Sequence, residues 1–133
     1  MAYELGEVPV GAVLVRNGEL IASAHNQTRA NLDPTAHAEV RVLQKAAQAL
    51  GNERLFDCTL ICTLEPCVMC VGALMQARIC CLIFGANEPK TGACGSAFDL
   101  LSDPAHGRKI ELVQGVLADD SRKLLQNFFS AKR

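Results

Sequence analysis

The sequence predicts a three-layer α/β domain with a mixed five-stranded sheet. Three observations carry this. Near the start, an Asn-Gly pair joins two apolar, strand-like runs, a strong signal for an antiparallel hairpin. Downstream, strand-like runs alternate with stretches of helical period, the pattern of the α/β class. The chain has 133 residues, which suits one domain with a sizeable core, and it shows no repeat, linker or low-complexity tract.

The elements follow in order. Val8 to Val15 and Glu19 to Ala24 read as two strands around Asn17-Gly18. His25 to Leu32 is polar and irregular, hence a loop. Asp33-Pro34 combines a capping residue with a proline, which predicts a helix start there. Ala36, Val40, Leu43, Ala47 and Leu50 then repeat at helical spacing, and Gly51 ends the helix. Cys58 to Thr63 reads as a third strand. A second helix is expected from Pro66 to about Arg78, with Cys67 and Cys70 in its first turn and on one face. Val68, Met69, Val71, Ala73, Leu74, Met75 and Ala77 leave that helix without a polar face. A sheet covers only one side of it, so the other side predicts a homodimer packed nearby. Ile79 to Phe84 and Ile110 to Val113 read as the fourth and fifth strands. Gly85 to Gly107, between them, is long enough to suggest a functional loop. Asp119 or Asp120 opens a final helix carrying Leu124, Leu125, Phe128 and Phe129.

Composition narrows the function classes. No run approaches the roughly 20 apolar residues of a membrane span. Met1-Ala2-Tyr3-Glu4-Leu5 lacks the basic and apolar regions of a signal peptide, so a cytoplasmic protein is expected. Seven cysteines, an odd number, then argue for metal binding or buried thiols over disulfides. A net charge of −1 counts against simple coating of nucleic acid. The end of the chain is locally basic, with Arg122, Lys123, Lys132 and Arg133, but charge alone favours a solvated helix end there.

Chemistry concentrates at two expected helix starts. Cys67-Val68-Met69-Cys70 offers two thiols where the positive end of a helix dipole favours thiolate, which is half of a zinc site. His37 is placed to complete a set of three ligands, leaving one tetrahedral position for water, as catalytic zinc sites do. Glu39 follows two residues later, roughly 200° round an ideal helix. That suits a general acid/base beside the metal better than a ligand. Two bland readings compete. Cys-x-x-Cys could be a redox pair, but His37 and Glu39 would then be idle. A structural zinc knot could recruit His25, Cys62 or Cys94 as fourth ligand, but it leaves Glu39 unexplained.

His37-Ala38-Glu39 followed by Pro66-Cys67-Val68-Met69-Cys70 resembles the signature of the zinc-dependent cytidine and deoxycytidylate deaminase superfamily. Within it, the chain is similar to the family of bacterial tRNA-specific adenosine deaminases. The likeness runs nearly end to end, through Glu7-Val8-Pro9-Val10-Gly11-Ala12-Val13, Asn26, Lys90-Thr91-Gly92 and Phe128-Phe129. The zinc signature fixes the superfamily; the Lys-Thr-Gly and Phe-Phe stretches point to the tRNA-acting family. The resemblance implies a cytidine-deaminase-like α/β/α fold and a homodimer with one zinc per subunit, held by His37, Cys67 and Cys70. It implies conversion of adenosine to inosine at the wobble position of a tRNA anticodon, that of arginine tRNA foremost. Hydroxide on the zinc would attack C6, and Glu39 would carry protons to N1 and to the departing ammonia. Asn26 would contact the target nucleotide. Phe129, Lys132 and Arg133 would grip the anticodon loop through stacking and phosphate contacts. The alternative is a deaminase of a free base or nucleotide, of guanine or cytosine type, sharing the zinc site. Two departures stand out. The family carries an amphipathic helix before Glu7, whereas only Met1 to Gly6 precede it here, so the expectation is a late start or a shortened chain. Asn87-Glu88-Pro89 departs from the family pattern in a loop near the substrate.

Overall fold

The computed structural model describes residues 8–102, 109–116 and 120. Five strands, β1 (Gly11–Arg16), β2 (Glu19–His25), β3 (Cys58–Leu64), β4 (Cys81–Ala86) and β5 (Glu111–Gln114), and two helices, α1 (Ala38–Leu50) and α2 (Val68–Gln76), follow one another as β1-β2-α1-β3-α2-β4-β5. The sheet order is β2-β1-β3-β4-β5. β1 pairs antiparallel with β2 and with β3. β3, β4 and β5 run parallel. The expected mixed five-stranded sheet is therefore present. The final helix expected from Asp119 or Asp120 lies outside the described residues except for Asp120.

Local chemistry sets the turns. Asn17 and Gly18 have φ of 52° and 75°, the left-handed pair of a type I′ hairpin turn, whose twist matches the flanking strands. α1 ends at Gly51, with φ 67° and its N–H donating to the Ala47 carbonyl. α2 ends earlier than the sequence suggests, because Arg78 adopts φ 67° and the Ile79 N–H reaches back 3.2 Å to the Leu74 carbonyl. That six-to-one bond closes the helix in the usual C-terminal manner.

Both helices cover one face of the sheet. There Ala12 and Leu14 of β1, Leu60 and Cys62 of β3, and Leu82 and Phe84 of β4 pack against Val42 and Ala46 of α1 and Val71 and Leu74 of α2. On the opposite face, Val13, Ile61, Ile83 and Val113 are in register across four strands. Among the described residues this row is only partly covered, and an apolar groove of about 480 Å³ runs over Val13, Ile61 and Ile83. α2 does not present an even apolar cylinder to protein. Val71 and Leu74 are fully buried, whereas Val68 is 46% exposed, and Gly72 and Gln76 are exposed beside it. Cys80 was expected inside the fourth strand. It precedes β4, is exposed, and donates its thiol hydrogen to the Cys58 carbonyl at 3.2 Å.

The ordering of β3-α2-β4 brings the C-terminal end of β3 and the start of α2 to one edge. The start of α1 arrives beside it. Sites gather at such strand ends in open α/β sheets.

Candidate active site

The approach to α1 corrects the expected helix start. Asp33 Oδ1 accepts hydrogen bonds from the Thr35 N–H at 2.9 Å and the Thr35 hydroxyl at 2.7 Å. Those bonds hold the Asp33 carboxyl below its usual pKa, and they make residues 33–35 an Asx turn, not a helix cap. Helical backbone begins at Ala38, and His37 is the residue before it, extended at φ −68° and ψ 151°. The 200° separation of His37 and Glu39 therefore does not apply. His37 stands outside the helix, and Glu39 is the second residue within it.

α2 repeats the arrangement. Cys67, not Pro66, is the flanking residue, extended at φ −78° and ψ 177°. Neither His37 nor Cys67 makes a side-chain capping bond to its helix. A Ser, Thr, Asp or Asn normally occupies that place and satisfies a free N–H. Here both side chains are turned to a common point instead.

That point has the dimensions of a metal site. His37 Nδ1 lies 3.7 Å from Cys67 Sγ and 3.5 Å from Cys70 Sγ, and the two sulfurs are 3.7 Å apart. A tetrahedral zinc with ordinary Zn–S and Zn–N lengths has ligand-to-ligand edges of about 3.5–3.8 Å. The three donors therefore fit a zinc ion, and the soft thiolates favour it over magnesium or calcium. Among the described residues the metal-type cluster is His37, Cys67 and Cys70, without His25, Cys62 or Cys94. Cys62 is buried with its thiol toward the Ile83 carbonyl. Cys94 is buried too, which pushes its thiol up to about 12.

Titration is coupled across the cluster. Hydrogen bonds from Cys70 and then His37 hold Cys67 down to about 4, so it is a thiolate at neutral pH. Cys70 is pushed up by sharing that proton with Cys67 and by burial. The bond to Cys67 raises His37. A bound dication would displace the protons that these donors hold, because metal ligands bind deprotonated.

Glu39 completes the site. Its side chain is 4% exposed, and Oε1 is buried without a hydrogen-bond partner among the described residues. Burial raises its pKa. A carboxylate oxygen left bare in the interior is costly unless a bound group satisfies it. It lines a cavity of about 230 Å³ together with Asn26, Thr28, His37, Glu65, Cys67 and Thr91. Asn26, expected from sequence, is 7% exposed and follows β2, its N–H bonded to the Val10 carbonyl at 2.9 Å. Phe129, Lys132 and Arg133 lie outside the described residues. Sequence reasoning missed Thr28, Thr91 and Glu65 as site residues. Glu65 carried a signal, a charged residue at the end of an apolar strand, where charge survives only if fully bonded.

Comparison with known proteins bears on this geometry. A family model described as MafB19-like deaminase matches residues 1–133. The tRNA-specific adenosine deaminase of Bacillus subtilis (strain 168) is 46% identical over 132 residues, covering 99% of this chain and 82% of the relative. The chain belongs to the tRNA-specific adenosine deaminase family. A solved structure from a study of A-to-I editing by tRNA:A34 deaminases at the wobble position superposes with a TM-score of 0.90 at 44% identity, covering 93% of this chain and 90% of that one. Guanine deaminase from Nitrosomonas europaea shares the fold at a TM-score of 0.79 but only 25% identity, covering 91% of this chain and 72% of that one. The family thus accounts for an α/β deaminase fold, and among the described residues no helix is long and apolar enough to cross a membrane.

Proposed function

We propose that this enzyme hydrolytically deaminates adenosine to inosine at the wobble position of tRNA anticodons, with arginine tRNA foremost. The observation that carries the reading is the bare Glu39 Oε1 in a cavity shared with His37 and Cys67. It is a proton carrier beside three ligands of an open tetrahedron.

His37, Cys67 and Cys70 would hold one zinc per subunit, and when bound the zinc supplies hydroxide at neutral pH by acidifying water. Glu39 does the rest of the proton work. It accepts a proton from the attacking water and delivers it to purine N1; it then takes the proton of the new C6 hydroxyl and passes it to the C6 amino group, which leaves as ammonia. Its raised pKa suits this double role, since a general acid/base works best near the operating pH. A cavity of about 230 Å³ suits one everted base, and a base in an anticodon loop is cheaper to evert than one in a duplex. Asn26, buried in the cavity wall, would hold that nucleotide. Phe129, Lys132 and Arg133 would grip the flanking RNA. The partly exposed apolar side of α2 supports a homodimer seated there. A tRNA substrate supports a cytoplasmic location.

Incubating the protein with transcribed arginine tRNA, and separately with free adenosine, guanine and cytosine, tests the reading. Inosine should form at the wobble position and none of the free compounds should react. Conversion of guanine or cytosine alone would establish the free-base alternative instead.

A further inference from the structure

Glu65 is 3% exposed, sits between β3 and α2, and takes no part in the chemistry above. Five donors converge on its carboxylate. Oε1 accepts from the Glu88 N–H at 3.0 Å, from Asn87 Nδ2 at 3.3 Å and from the Ser96 hydroxyl. Oε2 accepts from the Cys94 N–H at 2.9 Å and the Ser96 N–H at 3.2 Å. All five belong to residues 87–96. A segment with no helix or strand of its own therefore folds around one side chain.

The same segment touches the site on its other side. Gly92 bridges to Cys67, the Ala93 N–H donates to the Pro66 carbonyl at 2.8 Å, and Thr91 lines the cavity with Glu39 and Asn26. Gly92 must be glycine for this packing, because a Cβ there would collide with the Glu65 carboxylate. We propose that Glu65 is a positioning residue for the deamination: by gathering the 87–96 loop against Cys67, it fixes the Thr91 wall that receives the base. This role rests on the functional reading above. Glu65 borders the cavity, but both its carboxylate oxygens are engaged by the loop, so its loss should weaken binding of a correctly placed base and spare the proton chemistry.

Glu65→Gln tests it. The amide is isosteric but turns one acceptor into a donor, which then faces N–H groups whichever way it lies. Zinc should remain at one per chain. The KM for an anticodon stem-loop RNA should rise about tenfold or more, as expected for an unpaired buried donor, while kcat per bound zinc changes less than about threefold. Amide hydrogen exchange at Glu88, Cys94 and Ser96 should accelerate, with the Leu74 and Val42 amides still protected. Ser96→Ala, which removes one donor and keeps the carboxylate, should shift KM the same way by about two- to fivefold and covers the case in which Glu65→Gln does not fold. An unchanged KM, undisturbed exchange at Cys94 and Ser96, or an activity loss matched only by lost zinc would overturn the proposal. Absence of inosine with the unaltered protein would instead sink the functional reading, while the exchange data still report on the loop.

Discussion

Glu39 and Glu65 are two buried carboxylates on facing sides of one site, and they are built in opposite ways. Glu39 is 4% exposed and Glu65 3%, so burial alone does not separate them. Partners do. Glu65 collects five hydrogen bonds, and although burial pushes its pKa up, the bonds from Ser96, Glu88 and Cys94 win and leave it lowered. Glu39 has an oxygen with no partner, burial dominates, and its pKa is raised. A saturated carboxylate is a fixed anion that organises backbone. A bare one exchanges protons readily. The helix starts show the same division: each carries a metal ligand where a cap would stand, and each is held by an acid upstream, Asp33 for α1 and Glu65 for α2.

The largest effect expected from this contrast is on turnover. Glu39→Ala should lower inosine formation by about 10²–10⁴-fold with zinc content unchanged, read by metal analysis on the assayed sample. A variant that also lost its zinc would show that Glu39 holds the metal and would erase the distinction. Next comes metal removal. At free zinc about 1,000 times its dissociation constant, the ion stabilises the folded state by about 4 kcal/mol, so chelation should lower Tm by many degrees. A Tm indifferent to chelator would mean that the tripod does not depend on the ion. Stability should then separate the two acids directly. Glu65→Gln should cost about 1–3 kcal/mol in denaturant unfolding, whereas Glu39→Gln, which replaces a buried carboxyl that has one unpartnered oxygen, should cost about 0.5 kcal/mol or less, or stabilise.

Much of this was legible beforehand. The hairpin at Asn17-Gly18, the mixed sheet and the grouping of His37, Cys67 and Cys70 follow from turn chemistry, periodicity and ligand spacing, each written in neighbouring residues. The start of α1 was misread because Asp33-Pro34 satisfies the rule for a cap while Thr35 captures the Asp33 side chain for a turn. Glu65 was passed over for a different reason. Its partners are 22 to 31 residues away, and a loop organised by one distant carboxylate leaves no period in the sequence. Thr91 escaped with it, since its place in the cavity depends on that loop.

The smallest expected effect concerns Asp33. Its folded-state pKa is lowered by Thr35, so the unfolded chain binds more protons as pH falls. The stabilisation is complete above the ordinary value of 3.8 and disappears as pH drops through the lowered one. Asp33→Asn should flatten the acid limb of Tm against pH slightly. An unchanged limb would show that the Asx turn contributes nothing to holding His37 in place.

The most direct test measures inosine formed per bound zinc for Glu39→Gln and Glu65→Gln side by side, across RNA concentration. Both should keep one zinc per chain. Glu65→Gln should approach normal turnover once RNA saturates, and Glu39→Gln should stay near background at every concentration. Normal turnover by Glu39→Gln, or the same failure at saturation by both, would contradict the account.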